Sequence, residues 1–174
     1  RKVVLGLGWD AAKPTGFFGK LLGNTTEIDL DASCIMIDSA GKATDLVWFR
    51  QLKSKCGHVL HSGDNRTGEG DGDDESILVS LSSLSSDITS LVFTVNSFTG
   101  QNFSSVANAY CRIIDADNGK ELARLNLSDQ GNHTGLIMAY LKRNGDNWTF
   151  TAVGNVCRGR TAQDISREAV GVVV

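Results

Sequence analysis

An all-β fold, an antiparallel β-sandwich with one short C-terminal helix, is what the sequence predicts. Three observations carry that expectation. Short runs with alternating or continuous apolar residues recur along the chain, turn signals rich in Gly, Asn and Asp separate them, and apolar residues at helical spacing occur clearly only near the C-terminus. A chain of 174 residues is long enough for one substantial core, and no internal repeat or low-complexity linker divides it, so residues 1–174 are expected to form a single domain.

Taken in order, Val3 to Trp9 reads as a first strand ending in Gly8-Trp9-Asp10. The connector Ala11 to Thr26 holds the sole proline, Pro14, and is unusually apolar through Phe17, Phe18, Leu21 and Leu22. It either packs back on the domain or offers a contact surface. From Ile28 to Ile37 the pattern has period two, which places Ile28, Leu30, Ala32, Cys34 and Met36 on one strand face. Asp29 and Asp31 then share the opposite face, about 7 Å apart. Asp38-Ser39-Ala40-Gly41 reads as a turn and Leu46 to Phe49 as a short strand carrying Trp48.

Further along, Ile77 to Leu81 alternates, and Leu91 to Phe98 is an almost continuous apolar strand until Asn96. Val106 to Ile114 leads into the hairpin turn Asp115-Ala116-Asp117-Asn118-Gly119, from which Glu121 to Leu127 returns antiparallel. Leu136 to Lys142 and Trp148 to Val156 form another expected hairpin across Arg143-Asn144-Gly145-Asp146. Thr161 is a candidate N-cap for a helix to Val170, with Ile165, Ala169 and Val172 at helical spacing.

A net charge of −3 and the absence of a basic block exclude nucleic acid as a principal partner, since such binding rests on clustered Lys and Arg. No apolar run approaches the ~20 residues of a membrane span. Cys34, Cys56, Cys111 and Cys157 lie far apart without Cys-x-x-Cys spacing, which suggests reduced thiols in a cytoplasmic compartment, although an even number leaves disulfides open.

The chemistry concentrates in His61 to Glu75. Asp64, Glu69, Asp71, Asp73, Asp74 and Glu75 share this segment with four glycines, and Arg66 is its one cation. Glycines let the backbone fold tightly enough to turn several oxygens on one point, where carboxylates must be protonated, spread into solvent or neutralised by a cation. Two readings compete: a solvated acidic loop, and a site for a hard divalent ion, calcium first. Apolar stretches flanking the segment, His58 to Leu60 and Ile77 to Leu81, tie its ends into strands, and the Asp29/Asp31 pair supplies a second acidic group. The spacing is not that of an EF-hand, because the third position from Asp64 is Arg66.

Other constellations carry less. Cys56, His58 and His61 could be cast as zinc ligands, yet no fourth ligand is evident, and two histidines three apart on a strand face opposite ways. His61 fits better as a group that orients the acidic segment through hydrogen bonds. A two-metal phosphoesterase would also gather carboxylates, with His61 or His133 handling protons, and it is the alternative reading. No GxSxG elbow, phosphate-cradling loop or HExxH pair is present, and Ser62 beside His61 is adjacency in sequence rather than triad geometry. Arg158-Gly159-Arg160 is either an anion anchor or a solvated approach to the helix.

Gly6-Leu7-Gly8-Trp9-Asp10, Asp29-Leu30-Asp31-Ala32-Ser33, the whole His61 to Glu75 segment, Phe93-Thr94-Val95-Asn96, and Phe103 followed by Asn108-Ala109-Tyr110-Cys111-Arg112 together resemble the TerD family of tellurium-resistance and stress proteins. The apolar stretch after Trp9-Asp10 and the ending Cys157-Arg158-Gly159-Arg160-Thr161 look more like the TerZ branch of that family than like TerD itself. The resemblance implies a β-sandwich that binds two neighbouring Ca²⁺ ions without catalysis. It implies a scaffold or sensor role with other Ter proteins, some at the membrane, in resistance to tellurite, phage and colicins. The protein would then be cytoplasmic or peripheral at the inner membrane. Carried onto this chain, the implied ligands are Asp29 and Asp31 with Asp64, Asn65, Gly68, Asp71, Asp73, Asp74 and Glu75. Eight acids, Asp29 and Asp31 plus the six of the segment, less Arg66, leave about −7, of which two Ca²⁺ would offset +4. Family members usually carry a strand before the Gly-Leu-Gly-Trp-Asp motif, so a trimmed N-terminus is a further expectation.

Overall fold

The computed structural model describes residues 2–9, 30–62, 74–97, 109–127, 134–157 and 169–171. Among these described residues ten strands run in chain order: β1 (Lys2–Gly8), β2 (Leu30–Asp38), β3 (Ala43–Val47), β4 (Val59–His61), β5 (Glu75–Ser80), β6 (Ile88–Ser97), β7 (Tyr110–Asp115), β8 (Lys120–Asn126), β9 (Gly135–Asn144) and β10 (Asn147–Cys157). They build two five-stranded sheets, ordered β4-β5-β1-β7-β8 and β10-β9-β6-β2-β3. Every pairing is antiparallel, as the sandwich expectation required.

Period-two burial explains the first sheet. Val3, Leu5 and Leu7 of β1, Ile77 and Val79 of β5, and Cys111 and Ile113 of β7 all point into the core. The second sheet answers with Leu30, Ala32, Cys34 and Met36 of β2, and with Leu91, Phe93 and Val95 of β6. Its other face is also covered: Ile35, Ile37, Val92 and Ile137 form a second apolar cluster with Ala169, in the helical residues 169–171. A strand buried on both faces has no reason to alternate. That is why β6 reads as a nearly continuous apolar run.

Local chemistry sets the ends of several strands. β3 lies at Ala43–Val47 rather than at the expected 46–49, because the Asp45 carboxylate draws the chain after Val47 into a turn. Its Oδ1 accepts from the Leu46 N–H at 2.9 Å and from Gln51 Nε2 at 2.6 Å, and its Oδ2 accepts from the Lys55 N–H at 2.8 Å. Trp48 and Gln51 then close that turn through reciprocal backbone hydrogen bonds. In the β7–β8 hairpin Gly119 takes φ 74°, a left-handed conformation that glycine adopts without steric cost. The expected helix 161–170 lies largely outside the described residues, and 169–171 are helical.

One consequence of the topology positions the site. The C-terminal ends of β1, β4, β6, β8 and β10 and the starts of β2, β5, β7 and β9 all lie at the same end of the sandwich. Segments 10–29, 63–73, 98–108 and 128–133 therefore all leave and rejoin the described chain there. No helix among the described residues is long and apolar enough to cross a membrane.

Candidate metal centre

The acidic segment is anchored at both roots. Before it, the Ser62 N–H donates to the Ser76 carbonyl at 2.8 Å, and the Ser76 N–H donates to Ser62 Oγ at 2.9 Å. After it, the Asp74 N–H donates to the Leu7 carbonyl at 2.7 Å, and Asp74 Oδ2 accepts the Trp9 N–H at 2.8 Å. Asp74 thus continues the β1–β5 pairing past Gly8 with its side chain. At Gly8 a Cβ would stand 2.6 Å from the outer end of the Tyr110 side chain, so that ring, from its partner residue on β7, lies directly over the glycine.

Glu75 opens β5 in phase with Ile77 and Val79, so its side chain enters the sandwich rather than solvent. His61 closes β4 opposite Ile77 and is buried too. His61 Nε2 stands 3.2 Å from Glu75 Oε1, with both side chains fully buried. The same oxygen accepts the backbone N–H of Ala32 on β2 at 3.1 Å. That donor is available because β3 pairs only with Cys34 to Ile37, leaving the β2 edge open at Ala32. One carboxylate therefore joins the start of β5 to the start of β2, and brings residues 74–75 beside 31–32.

Asp31 lies on the outward face of the second sheet, as the alternation requires, and is only 2% exposed. Its partner in register on β6 is Asn96, and the next outward pair is Ser33 with Thr94. All four side chains are buried. Four polar groups thus occupy this end of a face whose remainder is Ile35, Ile37, Val92 and Ile137. Neither Oδ1 nor Nδ2 of Asn96 has a hydrogen-bond partner among the described residues, and neither does Thr94 Oγ1.

Of the ligands implied by the resemblance, the structure places Asp31, Asp74 and Glu75, all at the end of the sandwich where the acidic segment is rooted. Asp29, Asp64, Asn65, Gly68, Asp71 and Asp73 lie outside the described residues. Among the described residues, no group of three His, Cys, Asp or Glu side chains is arranged to hold a metal by itself. The side-chain oxygens placed at this end, of Asp31, Asp74, Glu75 and Asn96, are hard donors of the kind calcium takes, whereas zinc sites draw largely on nitrogen and sulfur. His61 Nε2 lies 3.2 Å from Glu75 Oε1, inside the sandwich. Asn96, the polar residue that interrupts the apolar run from Leu91, is brought opposite Asp31 by the β2–β6 register.

Cys34, Cys56 and Cys111 are free thiols. Burial pushes the Cys111 thiol up to about 12 and holds that of Cys34 well above its ordinary value, with the Asp45 charge adding to the latter. Cys56 is exposed, its Sγ 3.3 Å from Ser54 Oγ.

Known proteins share both the sequence and the sandwich. Residues 1–165 match the TerD domain. The chain is 55% identical to the tellurium resistance protein TerZ of Serratia marcescens over 97% of its own length and 87% of that protein's. It is 42% identical to the stress response protein SCP2 of Bacillus subtilis, over 94% of this chain and 87% of that one. It is 36% identical to the tellurium resistance protein TerD of Serratia marcescens, over 93% and 84%. In three dimensions it resembles the crystal structure of a TerD homologue from Streptomyces coelicolor, with a TM-score of 0.80 at 20% identity over 91% of both chains. That likeness concerns the fold. The domain match, the identities of the relatives and the shared sandwich lead to one assignment: this chain belongs to the TerD family of tellurium-resistance and stress-response proteins.

Proposed function

We propose that the protein is a non-catalytic calcium-binding module of the tellurium-resistance and stress response. Two Ca²⁺ ions are held at one end of the sandwich by Asp29 and Asp31 together with Asp64, Asn65, Gly68, Asp71, Asp73, Asp74 and Glu75. The observation that carries this reading is the hydrogen bond from the Ala32 N–H to Glu75 Oε1, which seats the root of the acidic segment beside the Asp-x-Asp strand. That bond brings the backbone of residues 74–75 beside residues 31–32, and where acidic groups from both segments gather, a hard cation is the species that relieves their repulsion.

When bound, calcium would neutralise the clustered negative charge and hold the protein's oxygens in a fixed arrangement around it. The protein's own residues supply the rest. Glu75 and His61 hold the second root of the segment inside the sandwich, Asp74 secures the end of β1, and Asp31 offers a buried carboxylate from the second sheet. A domain organised in this way serves as a calcium-dependent scaffold or sensor for other Ter proteins, in the cytoplasm or at the inner face of a membrane. The names of its relatives support the resistance and stress setting.

Calorimetric titration of metal-stripped protein tests the proposal, with two equivalents of calcium expected and magnesium a poor competitor. A protein that takes up no calcium overturns it. Turnover of a phosphodiester in magnesium or manganese that disappears in Asp73→Asn would install the metal-dependent hydrolase instead.

A further inference from the structure

Asn96 is fully buried on β6, and its carboxamide makes no hydrogen bond at either end among the described residues. Interior amides are nearly always paired, and one that is not needs a reason. Its position supplies one. Ala32 directs its N–H away from β6, toward Glu75, so Asp31, the next residue along, directs its own backbone toward β6. Asp31 and Asn96 therefore form the narrow, hydrogen-bonded type of antiparallel pair, with Cα atoms about 5.5 Å apart and side chains on the same face.

We infer that the Asn96 side-chain oxygen is a calcium ligand beside Asp31, so that the site draws donors from two central strands of the second sheet. This rests on the calcium reading above and extends it to a neutral ligand from a strand. A neutral oxygen is chemically apt: calcium takes six to eight oxygens, and carbonyl-type donors complete the shell without adding to an already negative cluster. With Oδ1 on the ion, Nδ2 remains to donate to a carboxylate or to a metal-bound water. Because β6 pairs with both β2 and β9, the ion would also be coupled to the middle of the sheet.

The test uses the whole chain and calcium alone as the probe. Asn96→Leu has nearly the same volume and no oxygen, Asn96→Asp keeps the oxygen, and Thr94→Val removes a neighbouring buried hydroxyl from the same face. Outer-sphere partners alone are worth about 10–100-fold in metal affinity, so losing a ligand should weaken calcium binding at least about tenfold. We expect that loss in Asn96→Leu, retention in Asn96→Asp and no change in Thr94→Val. The wild-type Asn96 side-chain amide resonances should shift in proportion to calcium added, a readout that needs no variant to fold. If wild type binds calcium while Asn96→Leu binds equally well, or the amide resonances stay put, Asn96 is a buried unpaired amide and the inference is wrong, with the calcium module intact. Equal losses in Thr94→Val and Asn96→Leu overturn it too, since the effect would then belong to packing of the face. If wild type itself takes up no calcium, the broader reading fails first.

Discussion

Glu75 on β5 accepts the backbone N–H of Ala32 on β2 through Oε1, at 3.1 Å, while His61 Nε2 stands 3.2 Å from the same oxygen. A single buried carboxylate thus bridges the two sheets where β3 has ended and the β2 edge would otherwise be open. It converts the start of β5 into part of the wall on which the acidic segment is rooted.

Removing that bridge should be costly in calcium-free protein. Glu75→Leu strands the Ala32 N–H and deprives buried His61 of its partner, which predicts destabilisation of about 2–4 kcal/mol. Glu75→Gln keeps an acceptor for Ala32 and should lose less. Urea denaturation in chelator measures both, and a Leu variant as stable as wild type would show that the bridge contributes nothing.

Calcium should raise the melting temperature strongly. A ligand that binds only the folded state stabilises it by about 4 kcal/mol at a thousand-fold excess over Kd. Scanning calorimetry of stripped and calcium-loaded protein provides the comparison, and coincident melting curves would contradict the proposed function.

Asp31→Asn and Asp73→Asn should each weaken calcium binding far more than Asp115→Asn or Asp117→Asn. The latter two acids sit in the β7–β8 turn at the opposite end of the sandwich, where Asp115 Oδ1 accepts the Asp117 N–H at 3.0 Å and Asp117 Oδ2 accepts the Lys2 N–H at 3.2 Å. Titration of the four variants separates a located site from a general effect of negative charge.

Cys34 and Cys111 should resist iodoacetamide in the native protein and react only on unfolding, whereas exposed Cys56 reacts at once; peptide mapping distinguishes them. The same burial sets a pH dependence. The folded-state value of Cys111 lies near 12 against an ordinary 9.0, so the unfolded chain ionises first. The stability this thiol contributes is complete below about pH 9 and is lost as pH rises toward 12. If the urea midpoint falls across that window as far in Cys111→Ala as in wild type, the thiol is not the cause of the fall.

Local pattern was enough to determine much of this protein. Period-two alternation in β2 and β5 and the Asp-rich hairpin turn before β8 are properties of neighbouring residues, and they survive in the fold because burial of one strand face and the geometry of tight turns act over a few residues. The crowding of acids between His61 and Glu75 is likewise a property of the sequence itself. Where two faces are buried, as in β6, the alternation vanished and Asn96 looked like a flaw in an apolar strand. Only the tertiary structure decided that Asn96 stands opposite Asp31, that Glu75 commits an oxygen to Ala32 forty-three residues away, and that β3 stops short of that donor. The physical reason is that sheet register and the facing of two sheets are settled by packing between segments distant in sequence. No local propensity encodes which buried N–H will be left over for a carboxylate to claim.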